Sequence, residues 1–184
     1  MKQKRWMGLT LLLAAALFTA GCGTKEEAPQ PIPSAQQTQV AAGEQEISLY
    51  FAAEDASCLV ESRRTVAAAD PTVEEQATDV IRELTAGPDP ESGLFAVMPE
   101  GTELQSASFA DGVLTVSLNR AFLDAQHGGS AGMMLTLYSV VDSLACLTGV
   151  DAVVIHIDGE AVEAYEGLIM PDEPIIPWEN VATK

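Results

Sequence analysis

Apolar and polar positions alternate with two different periods along this chain of 184 residues, and the switches between periods mark its elements. From Glu46 to Phe51 every second residue is apolar, so Ile47, Leu49 and Phe51 share one face of a first strand. Leu59–Ala67 reads as a second, more exposed strand, and its charged Glu61, Arg63 and Arg64 suit a sheet edge. Beyond Asp70-Pro71-Thr72 the period lengthens: Val73, Ala77, Val80, Ile81 and Leu84 form one narrow helical stripe. Two starts fit this helix, Asp70 capping with Pro71 at the first position or Thr72 capping with Glu75 in a capping box, and Gly87-Pro88 stops it. Asp89–Gly101 is an irregular connection whose Leu94, Phe95, Val97 and Met98 are expected to plug the core. Two alternating runs, Glu103–Ala110 and Val113–Leu118, then flank Asp111-Gly112, a two-residue hairpin turn.

The stretch Ser130–Gly159 is the centre of the pattern. At 100° per residue Met133, Met134, Leu137, Tyr138, Val140, Val141, Leu144, Ala145 and Leu147 fill about half of a helical wheel, leaving Thr136, Ser139 and Ser143 on a narrow polar strip. So wide an apolar face requires a sheet to pack on. After the stop signal at Gly149, Asp151–Ile157 is a β-branched run with Val153, Ile155 and Ile157 on one face, closed by the turn pair Asp158-Gly159. Between hairpin and helix, Asn119–His127 allows a helical turn with Phe122 and Leu123 facing inward. The order β-β-α-β-β-α-β predicts an α/β (α+β) domain, a mostly antiparallel sheet with two main helices on one face.

The ends differ in composition from this body. Lys2, Lys4 and Arg5 precede an apolar run Met7–Phe18 and the small residues Thr19-Ala20-Gly21 before Cys22, the pattern of a bacterial lipoprotein signal. The expected organisation is a signal over 1–21, lipidated Cys22 with a Pro- and Gln-rich tether to 45, a domain over 46–170, and a Pro-rich tail over 171–184 held by Ile175, Ile176 and Trp178. Such a chain is extracytoplasmic and reaches the membrane through the lipids on Cys22.

Charge narrows the partners. Without Lys2, Lys4 and Arg5 the chain keeps six basic residues against 27 acidic ones, a formal charge of −21. Nucleic acid is excluded as a partner, because too few cations remain to displace counterions from phosphates. Cys58 and Cys146 remain beyond the leader; export permits a disulfide, and whether they pair is left open.

Candidate chemistry is sparse. Gly128-Gly129-Ser130-Ala131-Gly132 matches the G-x-S-x-G pattern, with Asp142, Asp151 and His156 following in nucleophile-acid-base order. A nucleophile elbow needs its serine directly after a core strand, whereas Asn119–Gln126 intervenes here, so Ser130 is read as a helix N-cap. His127 and His156 lack metal-ligand spacing, and pairs such as Glu26-Glu27, Glu74-Glu75 and Asp172-Glu173 read as solvated faces. No catalytic residue, metal or cofactor is expected. Three functions stay in view: a contact module using a sheet edge or apolar patch, a glycan- or small-ligand-binding module presenting Tyr50, Phe95 or Trp178, and a small serine hydrolase.

Several short runs together resemble the GerM-type (GerMN) sporulation and spore germination domain: Leu49-Tyr50-Phe51, Leu59-Val60-Glu61 with Arg64, Leu84 with Gly87-Pro88, Met98-Pro99-Glu100-Gly101-Thr102, Asp111–Val116 with Phe122, and Gly149-Val150 leading to Ile157-Asp158-Gly159. They keep their order over Glu46–Gly159. Asn119 stands where serine is frequent, and one copy is present where the germination protein carries two. The resemblance implies a fold similar to the ring-building motif of secretion and sporulation channel proteins. It also implies an envelope module without catalysis, whose partner is an envelope protein or cell-wall component, with homo-oligomers left open.

Overall fold

The computed structural model describes residues 43–126, 128–162 and 172–178. Its first strand, β1 (Glu44–Ala52), starts two residues before the alternating run and pairs antiparallel with β2 (Leu59–Ala67) from Glu44↔Ala67 to Ala52↔Leu59. Helix α1 (Val73–Ala86) follows, and of its two candidate starts the capping box is the one formed: Thr72 Oγ1 accepts from Glu75 N–H while the Glu75 carboxylate accepts from Thr72 N–H at 2.9 Å. Gly87, with φ of +83°, closes the helix. Arg64 then reaches across from β2 to the Glu83 carboxylate and to the Gly87 carbonyl, both within 2.8 Å, filling acceptors left free at the helix end.

The second half builds a four-stranded sheet. β3 (Leu104–Ala110) and β4 (Val113–Leu118) form the expected hairpin, and positive φ at both Asp111 (50°) and Gly112 (81°) is what a type I′ turn demands. A short α2 (Ala121–Asp124) buries Phe122, and α3 (Gly129–Ala145) carries the chain back to β5 (Ala152–Ile157). β5 runs parallel to β4, since a helix rather than a tight turn joins them. The turn at Asp158-Gly159 leads into β6 (Glu160–Ala161), which gives the order β3-β4-β5-β6. The strands thus fall into two sheets, and one central pair is parallel within an otherwise antiparallel set.

One core joins these parts. Ile47, Leu49 and Phe51 of β1, Val80, Ile81 and Leu84 of α1, Leu137, Val140 and Leu144 of α3, and Leu114, Val116, Val153 and Ile155 of the larger sheet belong to a single buried cluster. The polar strip of α3 does not face water: Thr136, Ser139 and Ser143 are all buried. Leu94 and Met98 pack on the core as expected, but Phe95 does not plug it and stands 56% exposed. Its backbone, not its ring, is what the fold uses.

Candidate interaction surface

A β-strand outside a sheet's interior carries N–H and C=O groups that burial would leave unpaired. β1 pairs with β2 along one edge, and its other edge lies against α3. Two serines one helical turn apart on α3 meet it there: Ser143 Oγ accepts from Tyr50 N–H at 3.0 Å, and Ser139 Oγ donates to the Tyr50 carbonyl at 2.5 Å. Ser143 also donates to the Ser139 carbonyl at 2.6 Å, which fixes its rotamer. Two residues further along, Ala52 and Phe95 exchange both backbone bonds, at 3.1 and 2.9 Å. At Tyr50 and Ala52 the edge of β1 is thus closed by hydroxyls and by a single borrowed residue.

Phe95 is therefore held by its main chain while its ring points outward. The loop behind it is tied down as well: Thr136 Oγ1 donates to the Val97 carbonyl at 2.8 Å, Thr102 Oγ1 to Pro99 at 2.8 Å, and Asn119 Nδ2 to Gly101 at 2.8 Å. Asn119, at the position where serine is frequent, also accepts from Glu103 N–H, joining this loop to the start of β3. Beside Phe95 in sequence, Val97, Met98 and Pro99 face Gly132 and Leu135 of α3 across an open hollow of about 340 Å³. A backbone pinned in this way that presents an exposed aromatic costs little entropy to bind with.

Electrostatics limit what can bind. Arg63 pairs with Glu46 and Glu61, Arg64 with Glu83, Arg82 with Asp79 and Glu83, and Arg120 with Asp124. Among the described residues there is no lysine, so every Lys or Arg cation there is already engaged with a carboxylate. An anionic ligand finds no unpaired one.

Sites considered from sequence are dispersed or inert. Ser130 lies in the first turn of α3, but the N-cap is Gly128, whose φ of +89° starts the helix earlier than the serine pattern predicts. Asp142 is twelve residues further along the same helix, about 18 Å at 1.5 Å per residue. Ser130 and Asp142 therefore do not meet, and His156 directs its Nε2 to Asp172 Oδ1, 2.9 Å away. His127 and Cys22 lie outside the described residues. Cys58 and Cys146 are separate free thiols, one at the β1–β2 turn and one at the C-cap of α3, and no disulfide joins them. The Cys146 thiol, on a residue that is exposed as a whole, instead donates to the Tyr50 hydroxyl at 3.7 Å, and partial desolvation pushes its pKa up. Burial, then the bond with Cys146, raises the Tyr50 phenol in the same direction. Among the described residues no group of three His, Cys, Asp or Glu side chains is placed to hold a metal, and no helix is long and apolar enough to cross a membrane.

The family model described as sporulation and spore germination, Germane, matches residues 48–163. The chain belongs to the Germane family. Among solved structures it is similar to the tandem GerMN domains of the sporulation protein GerM from Bacillus subtilis, with a TM-score of 0.60 at 22% identity over 80% of this chain and 51% of that one. The first GerMN domain of the same protein gives 0.52 at 17% identity, covering 72% of this chain and 97% of that one. A putative lipoprotein from Clostridium perfringens gives 0.51 at 18% identity, over 73% and 88%. Comparison with curated proteins gives no match. This Germane chain covers about half the length of the tandem-domain chain.

What sequence patterning missed in the Germane domain is which polar groups are buried. Ser139 and Ser143 share the four-residue spacing of a helix face, and that spacing was the available signal that both address one neighbour. Nothing comparable marked Phe95 as exposed.

Proposed function

We propose that this Germane domain is a non-catalytic contact module, held outside the cytoplasm by lipids on Cys22 and engaging an envelope protein. The observation that carries the reading is Phe95: a large aromatic 56% exposed, on a backbone bonded twice to Ala52. The family match supports an envelope setting related to sporulation or germination, and the leader pattern supports the anchor. Partners that are neutral or basic suit a surface with no unpaired arginine.

A glycan-binding reading is favoured by the same exposed ring but weakened by the other two aromatics. Tyr50 is buried, and Trp178 is partly buried with its ring 5.1 Å from that of Tyr138. Cross-linking in intact cells, followed by identification of the captured neighbour, tests the module. Phe95→Ser is expected to abolish capture of one envelope protein while leaving the amount and melting temperature of the domain unchanged. Capture unaffected by Phe95→Ser removes the support for this surface, and capture of wall glycan in place of protein transfers it to the glycan reading. Cys22→Ser is expected to move the protein from the membrane to the soluble fraction.

A further inference from the structure

The far edge of the larger sheet is closed in a different way from β1. β6 covers β5 only at His156 and Ile157. Nearer the start of β5, Val153 exchanges both backbone bonds with Ile175, at 2.9 and 2.8 Å, and Asp172 meets His156. Among the described residues the backbone pairing is the one bridge Val153↔Ile175; β6 holds the backbone of His156, so Asp172 reaches it by side chain alone, and residues 172–178 form a strap pinned to the β5 edge at Val153. Its end is held by α3: Trp178 N–H donates to Asp142 Oδ1 at 2.8 Å, and the Trp178 ring tilts against Tyr138.

This end of the strap fits imperfectly. Asp142 is 3% exposed, and among the described residues its Oδ2 is buried without a hydrogen-bond partner. The ionisable groups in electrostatic reach of it are the Tyr50 phenol and the Cys146 thiol. The strap adds Asp172 and Glu173 and brings no cation. Oδ2 is thus a buried acceptor, on the carboxylate whose Oδ1 already holds the strap, that the chain's own segment leaves unsatisfied. The strap is also lightly held: Ile176 is 66% exposed, and the hydrogen bond to His156 uses an Asp172 side chain that is 73% exposed.

We infer that the β5 edge is a strand-docking site that residues 172–178 occupy in place of an extended segment of a partner protein, one carrying a basic residue at the position of Trp178. An arginine there donates its backbone N–H to Oδ1 as Trp178 does, stacks its guanidinium on Tyr138 and satisfies Oδ2 with a charge-assisted bond. Strand addition supplies the main-chain bonds and the Asp142 contact supplies the selectivity. The inference rests on the reading of the domain as a contact module, but at a site separate from Phe95.

Full-length protein is titrated with three synthetic peptides: the strap sequence itself, the strap with lysines for both acids and arginine for the tryptophan, and the strap with glutamate for the tryptophan. Binding is read by fluorescence anisotropy, and hydrogen exchange of the Val153 amide reports whether β5 is the site. Trp178→Ala and, as a milder second variant, Ile175→Ala loosen the strap in cis. The basic peptide is expected to bind these variants at least about tenfold tighter than the glutamate peptide, to protect Val153, and to lose that margin on Asp142→Asn. Equal or tighter binding of the native strap sequence overturns the inference in favour of exchange with a second copy. No peptide binding, with Val153 exchange unmoved by both variants, overturns it by making the strap a permanent part of the body. Because these measurements use purified protein and the Val153 amide, they stand or fall independently of capture through Phe95 in cells.

Discussion

The edges of β1 and β5 pose one problem, unpaired backbone beside a core, and solve it with different chemistry. At β1 the closure comes from within the body: hydroxyls on α3 and the main chain of Phe95, with Ser139 and Ser143 fully buried. At β5 it comes from the chain's own later segment, seated by two backbone bonds, one exposed side-chain hydrogen bond and one contact to a buried carboxylate. A hydroxyl on a packed helix cannot leave without opening the core, whereas a strap with a solvent-facing Ile176 can. The first closure should therefore contribute to global stability, and the second should open locally, below the cost of unfolding.

The largest effect is expected at β1. Replacing Ser139 and Ser143 together by alanine strands the Tyr50 N–H and C=O in a dry environment, and at about 1–3 kcal/mol for each orphaned group the pair costs on the order of 3–5 kcal/mol. The two residues also bond each other, so the single variants are not expected to add. A urea midpoint that falls with unchanged slope checks this; a loss below about 0.5 kcal/mol would mean that the edge tolerates water and is not closed by these groups.

Asp142 comes next, because it belongs to both regions: it sits on the helix that seals β1 and receives the end of the strap. Burial lifts its pKa from 3.8 to about 6, with the Trp178 N–H pulling the other way. A raised carboxyl binds its proton more tightly in the folded state. Its contribution to stability is therefore complete below about pH 4 and is lost as pH rises through about 6, by roughly 2–3 kcal/mol. Asp142→Asn removes that slope. The difference in unfolding free energy between variant and wild type, measured from pH 3.5 to 7.5, should grow in favour of the variant over that interval, and a flat difference would show that the carboxyl titrates normally.

How much of this was readable from residue order follows the same division. Local chemistry was legible: the I′ turn at Asp111-Gly112 requires positive φ, the Thr72–Glu75 box pairs two groups three residues apart, and the α1 stripe has only one face to bury. What failed depends on partners distant in sequence. Ser143 and Tyr50 are 93 residues apart, so no local period shows that a polar strip on α3 is needed inside. Phe95 looked like core because it is aromatic in an apolar run, yet the fold takes its backbone for β1 and leaves the ring outside. The division into two sheets is hidden for the same reason, since strand patterns name faces and not neighbours. The tail was expected to be held by Ile175, Ile176 and Trp178, and two of these are contacts while Ile176 faces solvent.

A smaller effect is expected from Ile175→Ala. Ile175 is only partly buried, so its truncation costs about 1 kcal/mol, confined to the strap. Exchange of the Val153 amide should quicken several-fold while amides of Leu114 and Val116 in the neighbouring strand keep their rates. A uniform acceleration would erase the distinction between the two edges, because β5 would then open only when everything does.

The smallest effect is the most discriminating about the start of the strap. Asp172 lies 2.9 Å from His156 Nε2, the shortest side-chain tie between the strap and β5, and a reading by distance alone makes it the anchor. Exposure argues otherwise: with 73% of its side chain in water, ordering Asp172 gains little that solvent does not already provide. Asp172→Asn keeps the shape and an acceptor oxygen and removes the charge, so it is expected to change global stability by less than about 0.5 kcal/mol and to leave Val153 exchange nearly as it was. If Val153 instead exchanges as fast as in Ile175→Ala, the strap is held by charge at its first residue, and the weight given above to the backbone pair and to Trp178 belongs to the His156 contact.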